Sequence, residues 1–261
     1  MFVTIGIIAL TSLSIDATNS LQGSQSMLAS LANRILVEEC AAGTVSVLVA
    51  GDNWCVDTFP ATPSPECPHQ TIRSHVFTTE NVAAASCQPV VKEGGVPWTH
   101  VAKHHAIQLC ARAGKELLPA NVWYQAALGT PSDETCHINQ SAIQTNRSSE
   151  CVSAVGAYDM VGNVWELVVE TVENGVVGDR ELPSTGYVHA VSNEGWPVET
   201  RLESSDLFSG DYVWSSASGT KAIMRGGFFR SQADAGIYTL HADIEPNFTS
   251  GATGFRCGYR L

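Results

Sequence analysis

Gly156-Ala-Tyr-Asp-Met-Val-Gly-Asn-Val-Trp-Glu-Leu167 is the stretch on which the reading of this chain turns. Carboxylates at Asp159 and Glu166 bracket Gly162, Asn163 and Trp165. A glycine there lets the backbone curl through conformations closed to other residues. Asn163, Trp165 and Glu166 can then pin the turn by hydrogen bonds and packing. Three further stretches belong with it: Gly114-Lys-Glu-Leu-Leu-Pro-Ala-Asn-Val-Trp-Tyr-Gln-Ala-Ala127 before it, and Met224-Arg-Gly-Gly-Phe-Phe229 and Gly254-Phe-Arg-Cys257 after it. In the first of these, Pro119 suits the opening turn of a helix, and Trp123 and Ala127, four residues apart, share its buried face.

Taken in this order, the stretches resemble the domain shared by formylglycine-generating enzymes (sulfatase-modifying factors). The resemblance covers residues 43–261 and implies an α+β, C-type-lectin-like fold with much irregular structure. It implies a calcium ion (Ca²⁺) held by the side chains of Asp159 and Glu166 and the carbonyls of Gly162 and Val164. A hard cation that takes six to eight oxygens suits that donor set. It also implies a Cys110–Cys257 disulfide. In the enzymes, two cysteines just after the Arg-Gly-Gly strand bind copper as soft thiolates. Counted from Gly226-Gly227, their positions fall at Ser231 and Gly236, so the oxidase chemistry is not expected here.

The chain has 261 residues, enough for one large domain and an appendage, with 15% charged residues and a formal net charge of −12. An acidic surface without a basic run repels phosphate backbones, which argues against nucleic acid as a partner. Eight cysteines lie between Cys40 and Cys257, none in Cys-x-x-Cys spacing. That pattern favours disulfides in an oxidising, extracellular setting over a zinc ribbon. Cys136 and Cys151 bracket a polar loop that a local disulfide would clamp. Cys40, Cys55, Cys67 and Cys87 leave three pairings open. Asn139, Asn146 and Asn247 begin Asn-x-Ser/Thr triplets, the acceptor pattern for surface glycosylation.

Residues 1–42 read as a separate element. Met1 to Ile15 is strongly apolar, Leu28, Leu31 and Ile35 follow at helical spacing, and no proline precedes Pro60. One helix over residues 2–40 would run roughly 60 Å. This element resembles the N-terminal helix of type IV pilin-like subunits, whose apolar half packs against copies of itself in a filament core. Residue 5 is Ile, where bacterial pilins usually carry Glu. A secretory signal or anchor is the alternative, although the first basic residue is Arg34 and the apolar run is shorter than a bilayer span.

Within the head, Gly43–Gly51 and Asn53–Asp57 read as a strand pair and the proline-rich 60–68 segment as loop. A helix is expected over Lys103 to Ala113, closed by Gly114. Residues 171–222, rich in Gly, Ser and Glu, read as a long irregular insertion. Phe228, Phe229, Arg230, Gln232, Asp234, Tyr238 and His241 lie between the Arg-Gly-Gly strand and the Gly-Phe-Arg ending, as candidate ligand contacts. The resulting expectation is a non-enzymatic surface protein: a pilus-like filament subunit that associates with itself through residues 1–40 and displays a lectin-like head for an unknown surface ligand or glycan. The alternatives are a secreted or anchored monomeric binding protein, or a metal-dependent oxidoreductase.

Overall fold

The structure, a computed structural model, describes residues 39–146 and 149–261. What was read from residues 1–38 lies outside the described residues. Cys40–Leu261 form one compact unit. It opens with a hairpin: β1 (Thr44–Val49) pairs antiparallel with β2 (Asp52–Asp57), Val49 opposite Asp52. The two-residue turn sets Ala50 and Gly51 at φ 52° and 92°, the mirror-image turn whose twist matches that of paired strands.

β3 (Thr62–Pro63) and β4 (Pro89–Val90) form a small ribbon, so the 60–68 segment is not entirely loop. Between them lies α1 (His75–Ala83), a helix whose weak apolar pattern gave no sign of it in the sequence. α2 (Lys103–Arg112) buries Ala106, Leu109 and Cys110, and ends at Gly114, which holds φ 69° and donates to the Ala111 carbonyl. After β5 (Glu116–Leu117) comes α3 (Ala120–Ala127). Pro119 precedes this helix as its cap rather than sitting in its first turn. Both oxygens of Glu170 accept from the Ala120 N–H, at 3.0 and 2.9 Å, placing a carboxylate at the positive end of the helix.

The rest is mostly sheet: β6 (Trp165–Glu173), β7 (Val176–Val177), β8 (Arg180–Glu181), β9 (Gly186–Val191), β10 (Pro197–Arg201), β11 (Tyr212–Ser215), β12 (Thr220–Arg225), β13 (Leu240–Ile244), β14 (Thr253–Phe255) and β15 (Cys257–Arg260). β15 joins the first hairpin in a sheet ordered β1-β2-β15-β5. The others form a large sheet ordered β10-β9-β11-β13-β12-β6-β7-β8, with β14 beside β6. Residues 171–222 are therefore not an irregular insertion but a main supplier of this sheet. Their strands are short and their partners distant in sequence, as where β11 runs parallel to β13, so local composition showed only the turns.

Alternation along the strands gives the large sheet two buried faces. Val168 and Ile223 point into a core built with Trp123 and Ala126 of α3, together with Trp54 and Val56 of β2. Leu167 and Met224, their chain neighbours, point into a second core with Leu109 of α2, Trp98 and Phe255. All eight cysteines are paired: Cys40–Cys55, Cys67–Cys87, Cys110–Cys257 and Cys136–Cys151. The Cys110–Cys257 bond fastens α2 to β15, and the first two resolve the pairings the sequence left open.

Candidate functional site

The decisive stretch folds into a buried hub. A side chain on Gly162 would overlap the Cys136 carbonyl, so only glycine fits, at φ 74°. Asn163 exchanges hydrogen bonds with the Gln144 backbone at 3.0 and 3.3 Å, tying the Cys136–Cys151 loop to the hub. Glu166, 1% exposed, accepts from Trp123 Nε1 at 2.7 Å and from fully buried Arg256 through both carboxylate oxygens at 2.8–3.2 Å. The same guanidinium donates to the carbonyls of Asp57 and Tyr158.

This arrangement does not fit the expected calcium set of Asp159, Gly162, Val164 and Glu166. A divalent ion at Glu166 would meet a guanidinium already bonded to both oxygens. Arg256 supplies the positive charge at Glu166. Addition of a calcium chelator to the full-length chain is therefore expected to leave its melting temperature unchanged; a drop beyond about 4 °C would restore the calcium reading.

Ser231 and Gly236, the positions counted as those of the copper-binding cysteines, offer no thiolate. Ser231 offers a hydroxyl, which accepts from the Phe228 N–H at 3.0 Å. At Gly236, any side chain would overlap the carboxylate of Asp211. Asp211 is 1% exposed and accepts from the Tyr238 N–H at 2.7 Å. Burial pushes its carboxyl up to about 7, against the pull of those backbone donors and of Arg225. Every cysteine is paired in a disulfide, so none is a free thiol.

Beside Ser231, on the face of the large sheet that carries the second core, a pocket of about 900 Å³ opens. Its floor spans four adjacent strands. Trp214 on β11 and His241 on β13 are register partners, with ring centres 5.3 Å apart and close to parallel. Met224 on β12 is the next neighbour of His241. Trp165, at the start of β6, stands edge-on to Trp214 and His241 at 5.9 and 5.7 Å, and Phe228 lies against it at 6.3 Å. Burial lowers the His241 pKa although Asp243 pulls the other way, so the ring is neutral at pH 7, and its Nδ1 is buried without a hydrogen-bond partner. Ile72, Ile143 and Phe248 wall the pocket, and Arg230 and Asp234 add charge.

Of the residues expected to contact a ligand, Phe228, Phe229, Arg230, Asp234 and His241 line this pocket. Tyr238 and Gln232 do not. The Tyr238 ring packs against Tyr124 and Phe208, at 5.8 and 5.2 Å, toward the first core. Gln232 is exposed, in a short 3-10 turn, its N–H donating to the Ile138 carbonyl. Sequence reasoning missed Trp165 and Trp214. The first reads as a packing residue of its motif; the second lies in the stretch taken for an irregular insertion. Asn139 and Asn247 are exposed. Asn146 is fully buried, its amide donating to the Pro60 carbonyl at 2.8 Å and to Thr62 Oγ1 at 3.1 Å, so it is a structural clamp that cannot carry a glycan in the folded protein.

Fold and hub together define a lectin-like α+β domain organised on a buried Gly-Asn-Val-Trp-Glu turn. Residues 70–261 match the sulfatase-modifying factor enzyme 1-like domain, and the chain belongs to that family. No curated protein matches the sequence. Among solved structures, the chain is similar to the Major Tropism Determinant U1 variant, with 15% identity, 84% of this chain and 52% of that one covered, and a TM-score of 0.46. It is also similar to Treponema denticola variable protein 1 (13% identity, 85% and 94% covered, TM-score 0.45) and to PvdO from Pseudomonas aeruginosa (14%, 84% and 90%, 0.43). The chain spans about half the length of the Major Tropism Determinant chain it matches. Similarities of this size carry no argument about ligand or activity.

Proposed function

We propose that this protein is a non-enzymatic, extracellular binding protein whose aromatic pocket captures a ligand. The observation that carries this reading is the pocket at Phe228–Asp234. At the two positions that the family resemblance assigns to copper, counted from Gly226-Gly227, this chain carries Ser231, which lines the pocket, and Gly236, where Asp211 leaves no room for a side chain. What remains is a cavity within the size range of small-molecule sites, mostly apolar, with few polar groups to fix orientation. Four disulfides support an oxidising compartment. The apolar run of residues 1–15 supports display of the head on a filament of self-associated chains.

Binding is tested by titrating apolar fragments into the full-length chain and reading tryptophan fluorescence. Trp214→Ala is expected to weaken any fragment that responds by about tenfold or more, as loss of an aromatic anchor does. Oxygen consumption with a thiol peptide and copper would overturn the reading. Electron microscopy of protein sheared from cells tests the display. Filaments containing the chain support it, and only soluble monomer refutes it.

A further inference from the structure

Asp234 is out of place in an apolar pocket. It lines the cavity half-buried, and no Lys, Arg or His pairs with it among the described residues. Burial is the cause that raises its pKa. A carboxylate taken from water costs free energy unless a counter-charge meets it. Arg230, the lysine- or arginine-type cation of the lining, does not serve: its Nη2 donates to the Ser141 carbonyl at 2.9 Å and its guanidinium lies over the Phe229 ring at 5.5 Å. The other large groups are aromatic, and ring faces attract positive charge through their quadrupoles.

We propose that the pocket takes a small organic cation, an ammonium group on an apolar or aromatic body, with the ammonium at Asp234 and the body against Trp165, Trp214 and Phe228. This rests on the reading of the pocket as the binding site. A formal charge of −12 over the chain raises the local concentration of cations and opposes anions. A glycan fits less well. Its many hydroxyls need a ring of polar side chains, whereas the floor here is Trp165, Trp214, Met224 and Phe228, with the His241 Nδ1 sealed from solvent and the small hydroxyls of Thr71, Ser141, Ser231 and Ser250 set around it. An anion would be repelled by Asp234, while Arg230 is held toward Ser141 and Phe229 at one side of the pocket.

The test uses three probes of one shape on the full-length chain: 4-phenylbutylamine, 4-phenylbutanol and 4-phenylbutyrate, titrated by calorimetry at pH 7.5. The amine is expected to bind at least about tenfold tighter than the alcohol, and the butyrate weakest. Asp234→Asn, which keeps the shape, is expected to cut the preference for the amine to about twofold or less while the alcohol keeps its affinity, which also shows that the variant is folded. If the alcohol binds and the amine has no advantage, or if Asp234→Asn leaves the advantage intact, the cation proposal is overturned and the pocket reading stands. If the butyrate binds tightest, Arg230 governs the site and the proposal is wrong. If none of the three binds at millimolar concentration, both readings fall.

Discussion

Arg256→Met is expected to destabilise the protein by about 3–5 kcal/mol, the cost of leaving a buried charge without its partner. Arg256 and Glu166 are each buried to 1% exposure or less, and the guanidinium reaches both carboxylate oxygens and two backbone carbonyls. Removing it strands Glu166, whose other side-chain partner is the Trp123 indole. It also leaves the Asp57 and Tyr158 carbonyls without their donor, and these belong to β2 and to the start of the hub. Urea unfolding with the disulfides intact reads the loss as a shifted midpoint at unchanged slope. Glu166→Gln should cost a similar amount, since it strands the arginine instead. The double variant Arg256→Met with Glu166→Leu is expected to recover part of the loss, because removing both charges costs less than removing one. Single variants within about 1 kcal/mol of the parent would show that the pair does not hold the hub.

The second large effect is a dependence of stability on pH. Asp211 has its folded pKa raised from an ordinary 3.8 to about 7. Between those values the folded protein keeps a proton that the unfolded chain has released. Its contribution to stability is therefore full below about pH 4, shrinks as pH rises through the window, and is gone above about pH 7. Roughly three pKa units at 1.36 kcal/mol each set a ceiling of about 4 kcal/mol. Asp211→Asn cannot titrate, yet still offers an oxygen to the Tyr238 N–H. The parent should lose stability relative to this variant between about pH 4 and about pH 7, and the difference should level off above that. Burial lowers the His241 pKa, which acts with the opposite sign and removes stability as pH falls, but it is common to both proteins and cancels in the difference. Parallel profiles for the two proteins would refute the assignment.

How much of this could be read beforehand follows from what each residue's role depends on. The hub was legible because its requirements are local: a glycine where a carbonyl presses close, an asparagine that bonds a neighbouring loop, a tryptophan and a glutamate in fixed order. The Cys110–Cys257 bond came with the family resemblance, and no spacing rule would have found it across 147 residues. The calcium set was carried over by position, which could not foresee that a guanidinium arriving from residue 256 bonds both oxygens of Glu166. Tyr238 and His241 were grouped on sequence proximity, but a face can be assigned only once the strand start at Leu240 is known. Trp214 could not be told from the core aromatics of residues 171–222 for a related reason. It becomes a pocket residue only because β11 lies parallel to β13, a pairing across 27 residues.

The Cys40–Cys55 bond changes how the head bears a pull. A force on the chain ahead of Cys40 would otherwise unzip β1, an edge strand, one residue pair at a time. The disulfide routes that tension past β1 and into the middle of β2, at a residue paired with Tyr259 of β15. Two residues before Tyr259, Cys257 is bonded to α2. Tension entering at Cys40 would thus pass through two covalent links with one strand pair between them, loading the domain across its sheet rather than peeling it from its margin.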